Sequence, residues 1–326
     1  MPRFDVLGIG NAIVDVVARA DDAFLSKHDM RKGGMALIDT ARADALYAAM
    51  PPGQESSGGS AANTCAVAAA MGARAAYLGK VADDQLGAVF RHDITAAGVL
   101  FPSTPLVGGA PTARSLILVT PDGQRTMNTY LGACVAFTEA DVDAALVADA
   151  AVLYLEGYLF DPPAAQAAFR RAAAAAHAAG RQVALSLSDP FCVDRHRADF
   201  RALVRDEVDI LFANETEITS LFEVNAFDDA AEAARRDVAL AVLTRSEAGS
   251  VILRGTEIVP VNPEPTQVVD TTGAGDAYAA GFLAGFARGR PLSVCGRLGS
   301  IAAAEVISHY GARPATDLRP LAAAVG

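Results

Sequence analysis

The chain has no tryptophan, only 6% aromatic residues and four cysteines, Cys65, Cys134, Cys192 and Cys295, none of them in a CxxC pair. Those spacings suit neither a zinc site nor a disulfide scaffold and predict reduced thiols in a cytoplasmic protein. The chain lacks the interleaved aromatic and basic residues on which nucleic-acid bases stack. Its net charge of −11 also opposes a phosphate-backbone footprint, so no nucleic-acid partner is expected. No uncharged apolar run reaches the roughly 18 residues of a membrane span, and no membrane partner is expected. The Ala-rich "AAFRRAAAAAHAAG" is broken by two arginines and reads as a surface helix. The opening "MPRFDVLGIG" carries Asp5 inside its apolar run and reads as a strand rather than a signal peptide. The five histidines show no metal-ligand spacing, and no G-x-S-x-G elbow, Walker A loop or protein-kinase landmark occurs. "GIGNAI" at 8–13 starts like a dinucleotide fingerprint but has no third glycine in register.

What is abundant is small and apolar. Of 326 residues, 52% are hydrophobic, enough for one large α/β domain over 1–326. Short apolar runs alternate with helical runs: "FDVLGIG", "RAAYLG", "DAAVLYLEGYLF", "QVALSLSDP", "VDILFANETEI" and "DVALAVLTRSEAGSVIL" against helices at 164–179 and 275–310. That rhythm predicts an α/β three-layer sandwich around a mainly parallel sheet. Residues 105–131 differ, because "TARSLILVTPDGQRTMNTYL" is two strand-like runs around a "PDG" turn with no helix between them. They predict a small β lid, with residues 13–19 adding a strand. "AAMPPGQESSGG", 48–59, reads as a flexible connection.

The segment "VVDTTGAGDAYAAGFLAGFA", 268–287, holds the densest signal. "QVVD" predicts a short strand, the glycines a turn, and the run after them a helix that starts near Asp276. Free N–H groups at such a terminus attract an anion, so Gly273, Ala274 and Gly275 form a candidate anion hole. Asp276 either caps the helix or serves as a base. Donors for a moving phosphoryl group beside a base for the acceptor hydroxyl are what phosphoryl transfer requires.

Other candidates each carry two readings. In "GGSAAN", 58–63, Gly58 and Gly59 let a ligand approach the backbone and Asn63 can bond a sugar hydroxyl, or the stretch is an ordinary turn. Asp15, set in an apolar strand, accepts two sugar hydroxyls or solubilises an edge. Asn214 and Glu217 in "NETE" orient waters of a magnesium ion, or form a capping box. Arg125 on the hairpin clamps phosphate or substrate, or stays solvated; Lys80 in "LGKVADD" is as ambiguous. "GGM" at 33–35 can line the same cavity.

"GGSAAN" and "DTTGAGD" resemble the two signatures of the ribokinase-like, or PfkB, carbohydrate kinase family, and the resemblance extends over nearly the whole chain, through "GIGNAIVDV", "LGKVADDQLG", "NETE" and "EVISHYGARP". It implies an ATP-dependent kinase for a sugar or nucleoside hydroxyl, with Asp276 as base and 273–275 as anion hole. It further implies Asn214 and Glu217 at the phosphates and magnesium water, and Asp15, Gly59 and Asn63 at the sugar. "TRSEAG", Thr244 to Gly249, resembles the nucleotide-side turn, with Ser246 where the family usually has glycine. Members often hold a monovalent cation, commonly potassium; no side chain here is a direct metal ligand. "KGGM", "ESSGGSAANT" and "DGQRTMNTYLGAC" resemble the adenosine kinase branch, in which Tyr158 and Phe160 would contact the base or else pack in the core or lid. Other branches phosphorylate other nucleosides, ribose, fructose or ketodeoxygluconate, and a nucleoside- or sugar-binding sensor on the same scaffold would have lost the base or the glycines. The branches include monomers and homodimers.

Overall fold

A computed structural model describes residues 2–325. Its larger sheet has nine strands, in the edge-to-edge order Glu257–Val261, Ser250–Arg254, Leu240–Thr244, Ile210–Asn214, Gln182–Ser186, Ala150–Glu156, Phe4–Ile9, Ala75–Leu78 and Val99–Leu100. The seven from Leu240–Thr244 onward are parallel, and the first two are antiparallel hairpin additions. The central strands read as unbroken apolar runs because helices cover both faces. One face packs Phe169, Phe200 and Leu203 against Leu153 and Leu185. The other packs Tyr154, Phe212 and Phe282.

The hairpin at Ala113–Val119 and Arg125–Tyr130 belongs to a second, five-stranded sheet, in which Ile13–Arg19 pairs parallel to Ala113–Val119. Two further strands complete this sheet. Met35–Leu37 lies along Arg125–Tyr130, and Gln54–Gly58 runs antiparallel to Ile13–Arg19. The second of these replaces part of the expected flexible connection at 48–59. "QESSG" has weak strand propensity and is extended because the edge of Ile13–Arg19 supplies the ladder. The expected strand at "QVVD" does not form. Val268 and Val269 are exposed, and the amides of Val269 and Asp270 both donate to the carbonyl of Ile307 instead of a neighbouring strand.

The small-residue runs have a packing cause. Helices Ser60–Ala70 and Ala274–Phe286 follow the two glycine motifs and lie against each other, with Val67, Ala68, Ala277, Ala280 and Ala284 in one cluster. A third helix, Leu292–Val306, passes so near that a Cβ on Gly281 would come within 2.3 Å of the Leu298 carbonyl oxygen. Larger side chains would separate these helices. Their close packing sets the two helix starts side by side, at the carboxyl ends of the parallel strands, where open α/β sheets hold their ligands. No helix among the described residues is long and apolar enough to cross a membrane, and all four cysteines are buried free thiols.

Candidate active site

A cavity of about 680 Å³ opens between the two sheets. Asp15, Gly59, Ser60, Tyr158, Asn214, Glu217, Thr244, Gly273, Ala274, Gly275 and Asp276 all line it. Residues as far apart in the chain as Asn11 and Tyr278 thus share one wall system.

At the start of helix Ala274–Phe286, the amides of Gly273, Gly275 and Asp276 find no backbone acceptor among the described residues. The two glycines serve different ends. Gly273 has φ 76°, and a Cβ there would lie 2.6 Å from that of Ala312, so the turn itself demands glycine. A Cβ on Gly275 would meet no protein atom within 4 Å. Gly275 therefore leaves room in the cavity rather than in the fold. Gly275→Ala is expected to keep or slightly raise the unfolding temperature, since alanine is the better helix former by roughly 1 kcal/mol. It is expected to lower kcat about tenfold or more by displacing a bound phosphate. Calorimetry and steady-state kinetics on the same preparation check both halves.

Asp276 is fixed rather than free. Ser60 Oγ donates to its Oδ1 at 2.6 Å and Asn63 Nδ2 to its Oδ2 at 3.1 Å. Burial pushes the carboxyl above its ordinary value, against those two hydrogen bonds and the charge of Arg313. Asn63, expected at the sugar, does not line the cavity and instead orients this carboxylate. Ser60 was not singled out from sequence.

Asp15 lies on Ile13–Arg19, opposite Ser56 and Ser115. Burial raises its pKa to about 6, although Arg125 and Arg313 pull it down, and no hydrogen bond from the protein contributes to its ionisation. Gly58 does not line the cavity, but a Cβ there would come within 2.3 Å of Asp15 Oδ2, so this glycine makes room for the carboxylate. Gly59 has φ 96°, and a Cβ on it would overlap the Asn11 carbonyl oxygen at 2.0 Å.

Glu156 was missed. It ends a strand, is 1% exposed, and accepts from the amides of Asn11 (3.1 Å) and Ala61 (2.8 Å) and from Asn11 Nδ2 (2.9 Å). Burial still raises its pKa to about 7. It ties the loop after the first strand to the first turn of helix Ser60–Ala70. The carboxylate that closes "AVLYLE" was the available signal, since a charge ending a buried strand needs a partner.

Asn214 and Glu217 form the capping box: Glu217 N donates to Asn214 Oδ1 (2.9 Å) and Asn214 N to Glu217 Oε2 (2.9 Å). Both also face the cavity, and burial raises the Glu217 pKa to about 7. Thr244 lines the cavity at the end of its strand, whereas Gly249 does not and sits in the turn to Ser250–Arg254. Ser246 holds φ 50°, the left-handed conformation that explains a glycine preference there.

Two expected contacts lie elsewhere. Phe160 is 0% exposed and packs on Phe169 and Phe200, in the core and away from the cavity. Arg125 does not line the cavity either. Its guanidinium pairs with Asp270, which also accepts from Thr272 N (3.0 Å), Thr272 Oγ1 (2.7 Å) and Gly311 N (3.0 Å). Burial opposes ionisation of Asp270, but these donors outweigh it and hold the carboxyl below its ordinary value. Arg125 thereby joins the small sheet to the turn that leads into Gly273. Phe191, the second residue of helix Pro190–Glu207, also lines the cavity, is 72% exposed, and was not anticipated.

The pfkB family carbohydrate kinase pattern matches residues 36–318. The crystal structure of adenosine kinase from Sinorhizobium meliloti is 54% identical, covers 99% of this chain and 100% of its own, and superposes with a TM-score of 0.92. That of a "probable sugar kinase protein" from Rhizobium etli CFN 42 is 51% identical over 100% of both chains, with a TM-score of 0.93. Adenosine kinase 1 of Arabidopsis thaliana is 28% identical over 94% of each chain.

Proposed function

The chain belongs to the pfkB family of carbohydrate kinases, on its adenosine kinase-related side, and from that premise we propose that it transfers the γ-phosphate of ATP to the 5'-hydroxyl of adenosine, giving AMP and ADP. The observation that carries the choice of a nucleoside is the apolar wall of the cavity. The small sheet contributes Met35, Leu37 and Met127, the turn after it Leu131, and the main body Tyr158 and Phe191. Met35, Leu37, Tyr158 and Phe191 are exposed. A free sugar offers little to cover them, whereas a purine ring does.

In this reading Asp15 accepts hydrogen bonds from two ribose hydroxyls. Asp276 takes the proton of the 5'-hydroxyl as its oxygen bonds to the γ-phosphorus and the bond to the departing ADP breaks. The amides of Gly273, Gly275 and Asp276 hold the charge that develops on the phosphoryl oxygens. Closure of the small sheet excludes water. Glu217 is a buried oxygen donor at the cavity and suits a hard cation, so Asn214 and Glu217 would hold magnesium through its waters. That ion would supply neutralising charge on the phosphates. The free thiols fit a cytoplasmic site of action.

The test is ADP formation from ATP and magnesium against adenosine, other nucleosides, ribose, fructose and ketodeoxygluconate. Adenosine is expected to give the highest kcat/KM. Phe191→Ala is expected to raise the KM for adenosine about tenfold while leaving any turnover of free ribose unchanged. A higher kcat/KM for a free sugar, unaffected by Phe191→Ala, would assign the cavity to that sugar instead.

A further inference from the structure

Arg313 lies in the loop after helix Leu292–Val306, far in sequence from both signature motifs. Its Nη1 donates to the carbonyl of Ala62 at 3.1 Å. Its Nη2 donates to the carbonyl of Ser57 at 2.8 Å and to Ser57 Oγ at 2.9 Å. Ser57 belongs to the small sheet, and Ala62 to the first turn of helix Ser60–Ala70 in the main body. One planar group thus bridges the Gly59 joint, where the chain passes from one to the other. Ser57 is held from its other side as well, its N and Oγ donating to Asp93 Oδ2 at 2.7 and 2.6 Å.

The turn gripped this way carries Ser60 and Asn63, the two donors on Asp276. We propose that Arg313 is a positioning residue for phosphoryl transfer: by tying Ser57 to Ala62 it fixes the Gly59 joint and, through Ser60 and Asn63, the direction in which the Asp276 carboxylate points. The inference rests on Asp276 being the base.

The charge of Arg313 acts in the same direction. Its Nε is sealed from solvent with no partner, and no carboxylate hydrogen-bonds to the guanidinium among the described residues. Its field therefore falls on Asp93, Asp15 and Asp276. The charge on Asp276 opposes ionisation of Asp15, Glu156 and Glu217 in its surroundings, whereas Arg313 favours ionisation of Asp276 itself. Tyr154 and Tyr158 face the same carboxylate as neutral phenols. Taking the cation away raises the pKa of Asp276 and of Asp15, so the acid limb of kcat/KM, to which both contribute, moves to higher pH.

The experiment compares Arg313→Met and Arg313→Lys with the wild type in kcat, both KM values, the pH profile of kcat/KM and thermal unfolding. Arg313→Met is expected to lose about tenfold or more in kcat and to shift the acid limb upward by roughly half a unit or more, with the KM for ATP unchanged. Arg313→Lys keeps the charge but cannot span both carbonyls. It is expected to hold the acid limb near the wild-type position and recover only part of kcat. Wild-type kcat and acid limb in Arg313→Met would overturn the proposal, as would a kcat loss accompanied by no shift of the limb and fully explained by unfolding. If Arg313→Met does not fold, Arg313→Lys decides, since wild-type kcat there would remove the bridging role. Full activity of Asp276→Asn would instead overturn the base assignment. An inactive Asp276→Asn with wild-type behaviour at position 313 would overturn this proposal alone.

Discussion

Asp276→Asn is expected to lower kcat by about 10² to 10⁴, with the KM values and the unfolding temperature staying near those of the wild type. The substitution keeps the volume and leaves an oxygen to accept from Ser60 Oγ, which now lies 2.6 Å from the carboxylate. The second hydrogen bond, from Asn63 Nδ2, survives if one of the two amides turns over. What disappears is the proposed proton acceptor. Burial already raises the carboxyl above its ordinary value, so neutralising it removes a desolvated charge and does not weaken the fold. A structural capping role predicts the reverse pattern, a loss of about 1 kcal/mol in stability with turnover largely kept. Steady-state kinetics beside thermal unfolding separates the two roles.

Asp15→Ala is expected to raise the KM for the acceptor by about a hundredfold, with a smaller effect on kcat. Hydrogen bonds to a charged group contribute roughly 1.5–3 kcal/mol each, and every 1.4 kcal/mol is about tenfold in affinity. Two hydroxyls on one carboxylate, less the water they displace, reach that size. The free protein holds this carboxylate buried, with a pKa of about 6 and no hydrogen bond from the protein supporting its ionisation. Acceptor affinity is therefore expected to fall as pH drops below about 6, where Asp15 takes up a proton. The stability of the free protein moves the other way. The folded-state pKa exceeds the unfolded value of 3.8, so the folded chain binds the extra proton between the two, and stability from this group declines as pH rises through that window. Asp15→Ala removes that decline and makes the unliganded protein more stable at pH 8. Unchanged acceptor KM in Asp15→Ala would take the residue out of the substrate site.

The parallel sheet was legible because buried central strands must be apolar throughout, and runs such as "ILFAN" and "LAVLT" have no other use. The glycine motifs were legible because glycine followed by a small-residue helix implies a close approach. That reading did not separate Gly273, which the turn requires, from Gly275, which only the cavity requires. Local patterns failed where long-range partners decide. Arg125 on a lid hairpin reads as a clamp, but its partner Asp270 lies 145 positions away and no spacing announces the pair. Tyr158 and Phe160 share one short 3₁₀ turn, too brief for any periodicity to show that the first faces the cavity and the second the core. Arg313 looks like any surface arginine until the Gly59 joint is folded against it. Phe191 follows a proline at a helix start, and nothing local distinguishes it from a core residue.

The central claim is that one helix start brings a proton acceptor and unpaired amides to the same phosphate, with the nucleoside held by Asp15. The most direct measurement is a crystal structure with adenosine and a non-hydrolysable ATP analogue. It should place the ribose 5'-oxygen about 3 Å from the Asp276 carboxylate, two ribose hydroxyls on Asp15 and the terminal phosphate on the amides of Gly273, Gly275 and Asp276. A nucleoside bound with its 5'-oxygen turned away from Asp276, or a terminal phosphate seated elsewhere in the cavity, would contradict it.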